Sequence, residues 1–116
     1  MQIEDWIPVE EQMCTLGYNR WSVARLFELS KNLTVMEIPI GHLNIYHTYD
    51  KLTLRNMVTH LNAIVKADLS FPIILDEDGE IMDGRHRIMK VLFEGKKTIK
   101  AVRFNKNPSP CEVLDK

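Results

Sequence analysis

Apolar residues in the middle of the chain recur with the period of an α-helix. Between Thr53 and Asp68 they are spaced three and four positions apart, which places them on one helical face: Leu54, Met57, Val58, Leu61, Ile64 and Val65. Phe71-Pro72 ends this helix, and the apolar run Ile73–Leu75 predicts a short strand. We expect the apolar face of the helix to be buried against a small mixed sheet.

The segments around this helix predict the other strands of that sheet. Residues 33–40 are rich in β-branched side chains, and Pro39 among them is typical of an edge strand. Asp76–Gly79 is a turn sequence that leads into a second hairpin arm. Apolar and basic residues alternate over the segment 98–104, as in a half-exposed strand. The pattern thus predicts strands at about 34–40, 72–75, 80–82 and 98–104.

The beginning of the chain predicts two helices. Pro8 suits the first position of a helix that runs to Leu16. Asn19 suits the cap of a second helix, from Arg20 to Lys31. These helices predict an N-terminal helical extension over residues 1–32.

The end of the chain predicts a loosely packed tail at residues 105–116, because it contains two prolines and little periodicity. Between the extension and the tail, residues 33–104 predict an α+β domain. Its last helix begins near Gly84 with Asp83 as N-cap and ends before Gly95. The complete order is helix-helix-β-α-β-β-α-β.

Composition excludes several classes of protein. The 116 residues are 45% hydrophobic and 27% charged, which argues against a disordered chain. The net charge of −1 excludes avid non-specific DNA binding driven by overall basic charge. No apolar run approaches the roughly 20 residues of a membrane span, and no secretory signal is recognisable. We therefore expect a cytoplasmic protein without a membrane partner, in which Cys14 and Cys111 are reduced and unreactive.

The segment Asp83-Gly84-Arg85-His86-Arg87 carries the strongest chemical signal. It lies where a strand passes into a helix, and the unpaired N–H groups of a helix start favour anions. Gly84 would allow a ligand to approach the backbone, and Arg85 and Arg87 would contact a phosphate. The alternative is that Asp83 and the preceding acidic turn neutralise the cluster, which then has only a structural role.

Other polar clusters carry weaker signals. The acidic residues 76–80 lack the spacing of an EF-hand, so a solvated turn is favoured and no protein-bound metal is expected. A Mg²⁺ ion that is brought by a nucleotide remains an open alternative. One loop contains His42, Tyr46, His47 and Tyr49, which line a pocket or form an ordinary polar loop. His60 belongs to no recognisable ligand pair, and Trp6 and Trp21 are expected to be core or interface anchors.

Three segments resemble the ParB/sulfiredoxin-like family: VMEIPIGHL at 35–43, FPIILD at 71–76 and DGEIMDGRHR at 78–87. The resemblance covers residues 33–104 and implies the ParB/sulfiredoxin-like fold, a small mixed sheet packed with helices. Proteins of this family share a phosphate site at the Gly–basic turn. The resemblance therefore implies that Gly84, Arg85, His86 and Arg87 bind a phosphate.

The family includes partition proteins that bind CTP, sulfiredoxins that use ATP, a free-serine kinase and nuclease-like proteins. The resemblance implies a nucleotide or phosphate ligand, with a nucleoside triphosphate and Mg²⁺ as cofactors if the chain is a phosphotransferase or phosphohydrolase. Sulfiredoxin activity is not expected, because Arg85 stands where that group has its catalytic cysteine. Partition proteins continue into a second nucleotide motif and a helix-turn-helix domain; neither is recognisable in residues 1–116, so we do not expect a DNA-sliding CTP clamp. Glu37, Asp50 and His86 are the candidate catalytic residues.

Two alternatives to this function stay open. A non-catalytic DNA- or protein-binding module, perhaps from a mobile element, would use a basic run near the anion turn: Lys90, Lys96, Lys97, Lys100 and Arg103. A homodimer would use the N-terminal helices, which carry Trp6, Trp21 and Phe27.

Overall fold

The computed structural model describes residues 9–46 and 52–115, and within them the chain is a mixture of helices and strands. No helix in these ranges is long and apolar enough to cross a membrane. The elements are β1 (Met13–Leu16), β2 (Asn19–Ser22), α1 (Val23–Ser30), β3 (Met36–Pro39), α2 (Leu54–Lys66), β4 (Ile73–Leu75), β5 (Ile81–Asp83), α3 (Arg85–Phe93), β6 (Thr98–Arg103) and β7 (Glu112–Val113).

The strands form two sheets, which confirms the α+β class. The larger sheet has the order β3-β6-β4-β5, in which β4 and β6 are parallel and the other neighbours are antiparallel. These are the four strands that the sequence predicts, and β3 with its Pro39 lies at an edge, as predicted. The smaller sheet has the order β1-β2-β7.

The core lies on the two faces of the larger sheet, because successive side chains of a strand point to opposite faces. One face packs against α3 and the short 3-10 helix Ile40–His42 through Ile40, Leu43, Ile73, Leu75, Ile81, Ile88, Val91, Ile99 and Ala101. The other face packs against the β1–β2 hairpin and α1 through Cys14, Trp21, Val23, Leu26, Ile74, Met82, Val102 and Phe104. The described part of residues 1–32 thus shares a core with the segment 33–104.

The first predicted helix is wrong within the described residues. Val9–Glu11 forms a 3-10 helix, and the chain then forms a hairpin in which Leu16 pairs with Asn19. Gly17 occupies the turn at φ +61°, which suits the first central residue of a tight type II′ turn. The second predicted helix is shorter than expected because β2 takes its first residues. Ser22, not Asn19, caps α1 by accepting a hydrogen bond from the Arg25 N–H.

The prediction of a loosely packed tail is also wrong. β7 pairs with β2, and an ion pair of 3.4 Å joins Arg20 to Glu112. The indole N–H of Trp21 donates to the carbonyl of Pro108 at 2.9 Å. A buried indole needs such an acceptor, so the tail completes the polar contacts of the second core face.

The burial predicted for α2 is wrong, although the helix itself is confirmed with Thr53 as its cap. No residue of α2 is buried, and Leu61 is 57% exposed. The helix packs against α3 rather than against the sheet. Its apolar residues form an exposed stripe along the opposite side: Leu54, Met57, Val58, Leu61 and Val65.

Candidate functional site

The candidate site lies where β5 passes into α3. Gly84 is the N-cap of α3 at φ +111° and provides no side-chain acceptor. The prediction that Asp83 caps this helix is therefore wrong. The Asp83 carboxylate is engaged elsewhere, because it accepts a hydrogen bond of 3.0 Å from Arg87 Nη2. The start of α3 thus has N–H groups that no cap side chain satisfies.

Gly84 is required by packing inside the protein. A Cβ built at this position would lie 2.4 Å from Cγ2 and 2.8 Å from Cβ of Ile73, which is fully buried in β4. The positive φ adds a second reason, since residues with a side chain rarely adopt it. The glycine that the sequence assigns to ligand approach therefore lets the helix start lie against β4.

Arg87 is committed to structural contacts. Besides Asp83, its Nη1 donates to the carbonyls of Pro72 at 2.6 Å and Phe71 at 3.4 Å. Its side chain is only 19% exposed. The guanidinium thus ties the start of α3 to the segment before β4. Arg87 is thus a largely buried charge, and its contact with a ligand stays a prediction.

Arg85 differs from Arg87 in its surroundings. It is half-buried in the first turn of α3, and within the described residues it forms no hydrogen bond or ion pair. Burial has the largest effect on the pKa values of the Cys14 thiol and of His86, and the charge of Arg85 makes a smaller contribution to both, which places it near the two groups. Arg85 is therefore the cation of this turn that has no anionic partner in the described structure.

His86 meets a residue that the sequence does not connect to it. Its Nε2 lies 2.9 Å from Nδ1 of His60 in α2. The centroids of the two imidazole rings are 5.2 Å apart. This separation is about the N···N distance plus the radius of each ring, so the two nitrogens lie between the centroids and point at one another. This is a hydrogen bond that shares one proton between two imidazoles. The residues are 26 positions apart, and no spacing rule relates them.

The pair is neutral at neutral pH. Burial, followed by the nearby His60 ring, lowers the pKa of His86 to about 4 from an ordinary 6.5. Burial also lowers the pKa of His60. A neutral imidazole keeps one nitrogen that accepts a proton, which is the state that a general base requires.

The other candidate catalytic residues are not brought to this turn. Glu37 lies on β3 opposite Lys100, and β6 and β4 separate it from β5 by about 14 Å at the usual strand spacing. His42 is exposed in the 3-10 helix, and Tyr46 is exposed after it. His47, Tyr49 and Asp50, as well as Trp6, lie outside the described residues.

The acidic turn has a structural explanation. Asp76 is buried, and its carboxylate accepts the N–H groups of Asp78 and Glu80 at 2.8 Å each. The predicted hairpin turn is confirmed, although Asp76 is not solvated. Across residues 9–46 and 52–115, no three His, Cys, Asp or Glu side chains are arranged to hold a metal ion.

The basic run of the alternative function does not form one surface in the described structure. Lys90 donates from Nζ to the carbonyls of Val65 and Ala67. Lys96 pairs with Glu94 at 3.3 Å. By strand alternation, Lys100 and Arg103 point to opposite faces of β6. The charges are thus divided among different sides of the molecule.

The two cysteines differ more than the sequence indicates. Burial raises the pKa of the Cys14 thiol to about 11, as expected for an unreactive core residue. Cys111 is exposed, and hydrogen bonds from the Ser22 N–H and the Arg25 guanidinium lower its pKa. These two donors stabilise the thiolate form of Cys111, and nothing in the sequence pattern indicates them.

The arrangement at the β5–α3 junction can bind and neutralise an anion, and its function has to be inferred from this geometry. It combines a helix start without a side-chain cap, a half-buried arginine with no partner among residues 9–46 and 52–115, and a neutral histidine pair. A comparison of the chain with protein-family models, with curated proteins and with solved structures found no match.

Proposed function

We propose that the chain binds a phosphate-bearing ligand, most simply a nucleotide, at the first turn of α3. The observation that carries the proposal is Arg85, a half-buried cation without a described partner beside an uncapped helix start. A cation in the first turn is unfavourable for the helix dipole by about 0.3–1 kcal/mol when exposed. A bound phosphate would reverse this effect, because both the N–H groups and the guanidinium would face its charge.

The surroundings of the turn support a specific assignment of roles. Arg87 holds the turn in place through Asp83 and the carbonyl of Pro72, so it fixes geometry. Arg85 is left to contact the ligand. His86 is neutral at neutral pH, but a pKa of about 4 makes it a weak base and its Nε2 is engaged with His60, so we assign it no proton transfer. Phosphoryl transfer or phosphate-ester hydrolysis is the activity class that a phosphate ligand suits. Mg²⁺ would enter with the nucleotide, which commonly supplies most of its ligands.

The resemblance to the ParB/sulfiredoxin-like family supports the same location. Its signature residues are the hairpin and helix start that form the turn, and its closing strand corresponds to β6 beside β4. We propose that the fold is of this type and that the β1–β2 hairpin and α1 are an addition to it. The family's phosphate site then falls on the turn that the charge argument selects.

The first experiment is a thermal-shift panel of nucleoside di- and triphosphates, with and without Mg²⁺, because a ligand that binds the native state raises its melting temperature. The best nucleotide is then titrated by calorimetry into the wild type and Arg85→Ala. We expect at least tenfold weaker binding by the variant. Tenfold corresponds to about 1.4 kcal/mol, near the lower end of the 1.5–3 kcal/mol typical of a hydrogen bond to a charged group.

The matched control is Arg103→Ala, which removes an exposed arginine at the end of β6, away from the turn. It should bind the nucleotide like the wild type. Equal affinities of Arg85→Ala and the wild type would contradict the proposed site. A chain that binds duplex DNA with a steep salt dependence but no nucleotide would favour the alternative function. Binding of neither would favour a protein-interaction module.

A further inference from the structure

The His60–His86 hydrogen bond joins α2 to α3 through two side chains that can both take up a proton. It connects the middle of α2 to the first turn of α3 with an N···N distance of 2.9 Å. Both rings are partly buried, and they are tilted by 43° to one another. One ring nitrogen must donate and the other must accept, so the bond exists only while at least one ring is neutral.

A second polar attachment of α2 lies at its C-terminal end. Lys90 Nζ donates to the carbonyl of Val65 at 3.1 Å and to that of Ala67 at 2.8 Å. Neither core cluster contains a residue of α2. Helices with little buried apolar area open at a lower free energy than the core of a protein. Polar contacts, of which the His60–His86 bond is one, therefore hold α2 more than apolar burial does.

The charges around the pair disfavour a second proton. Among the described residues, the groups that act on His86 are Asp83 from β5, His60 from α2, and Arg85 and Arg87 from α3 itself. Asp83, the carboxylate among them, is paired with Arg87. If both rings were protonated, two N–H groups would face each other at 2.9 Å with no acceptor between them, so the rings would have to separate.

We propose that the His60–His86 pair is a proton-sensitive latch, which holds α2 against α3 while one ring is neutral and releases it when both rings are protonated. The release takes up protons from solvent and needs no other reactant. The helix would pivot about its C-terminal end, where Lys90 contacts two backbone carbonyls and no histidine. The inference does not depend on the proposed ligand.

The test is amide hydrogen exchange of the full chain at pH 7.0, 5.5 and 4.5, corrected for the intrinsic rate at each pH. We expect the protection of α2 amides to fall with pH while that of β4 and β6 amides is retained. For each extra proton that the open state binds, the opening equilibrium shifts by up to about tenfold per pH unit. Protection of α2 that does not change with pH would overturn the proposal.

Two variants separate the latch from general acid sensitivity. His60→Gln can hydrogen-bond with either protonation state of His86 and removes one of the two titrating rings, so the pH dependence of its α2 protection should be weaker than that of the wild type. His42→Gln removes an exposed histidine outside the pair and should behave like the wild type. Equal pH dependence in all three proteins would overturn the proposal.

A measurement on the wild type covers the case in which His60→Gln does not fold. Nitrogen NMR of the imidazole rings reports the protonation state of each histidine across the titration. We expect His60 and His86 to titrate as a coupled pair with at least one step well below pH 6.5. Two independent titrations near 6.5, the ordinary value, would overturn the latch.

Discussion

Adjacent residues of the DGRHR segment have separate tasks. Arg87 binds Asp83 and two backbone carbonyls, whereas Arg85, two positions earlier, has no described partner. Residues two apart in a helix point in different directions, so the two guanidinium groups are separated by the helix itself. The residue type therefore does not reveal which arginine is structural, since this depends on Pro72 and Phe71 in another part of the chain.

Gly84 provides a residue-scale prediction, with Gly79 as its matched control. Both have positive φ, at +111° and +84°, but a Cβ meets Ile73 only at Gly84. Gly79→Ala should cost about 1–2 kcal/mol of the free energy of unfolding, because a side chain strains this conformation. Gly84→Ala should cost at least about 1 kcal/mol more, because it also overpacks the contact with β4.

The measurement is urea unfolding of the two variants and the wild type under the same conditions. Equal losses at the two glycines would show that the Ile73 contact relaxes without cost. A loss at Gly84 smaller than at Gly79 would contradict the close packing between the helix start and β4.

At the scale of the element, α1 and α2 show what periodicity can and cannot predict. Both helices have one apolar side, and the sequence predicts the bounds of α2 the more accurately, Thr53 to Asp68 against the observed Leu54–Lys66. Periodicity reports that a helix has an apolar face, but the partner of that face is decided by the rest of the fold. The helix α1 packs into the core through Leu26, whereas the apolar stripe of α2 is exposed.

The β1–β2 hairpin was missed for a related reason. Gly17 and the alternation of Cys14 and Trp21 with polar neighbours fit two short strands, but short apolar patterns fit a helix equally well. The pairing of β2 with β7, which lies almost a hundred positions later in the chain, favours strands over a helix in this segment. Tertiary contact of this kind leaves no local signal, which also explains why the tail was predicted to be loose.

The contrast between the helices gives an element-scale prediction. Leu26→Ala in α1 should cost about 2–5 kcal/mol of the free energy of unfolding, because Leu26 is fully buried and its truncation leaves a cavity. Leu61→Ala in α2 should stay within about 0.5 kcal/mol of the wild type, as for other exposed positions. Urea unfolding of both variants tests this pair. A loss at Leu61 comparable to that at Leu26 would show that something covers the α2 stripe in solution.

At the scale of the whole molecule, the larger sheet separates two kinds of packing. The hairpin, α1 and the tail cover one face, and the second cluster there includes Phe104 and Trp21. On the other face α3 covers the sheet and presents the candidate site at its first turn, with α2 beyond it. The sequence predicts the sheet and the position of this turn, because both depend on local signals. It does not predict His60 at the site, because that contact depends on how α2 lies on α3.

The neutral His86 makes the stability of the whole molecule depend on pH. Its pKa is about 4 in the folded protein and near 6.5 when unfolded, so between these values the unfolded state binds more protons. The free energy of unfolding should therefore decrease as pH falls from 6.5 towards 4. The lowered pKa of His60 also decreases the free energy of unfolding as pH falls. The lowered pKa of Asp68 decreases it only below pH 3.8, the ordinary pKa of that carboxyl.

Urea unfolding at pH 7.0, 5.5 and 4.5 measures this dependence for the wild type, His86→Gln and His42→Gln. His86→Gln loses the titrating ring, so its stability should fall less steeply over this range, whatever its value at pH 7.0. His42 is exposed and outside the pair, so His42→Gln should follow the wild-type slope. Parallel curves for His86→Gln and the wild type would mean that His86 takes up its proton equally well in both states. Burial beside His60 would then not control its charge.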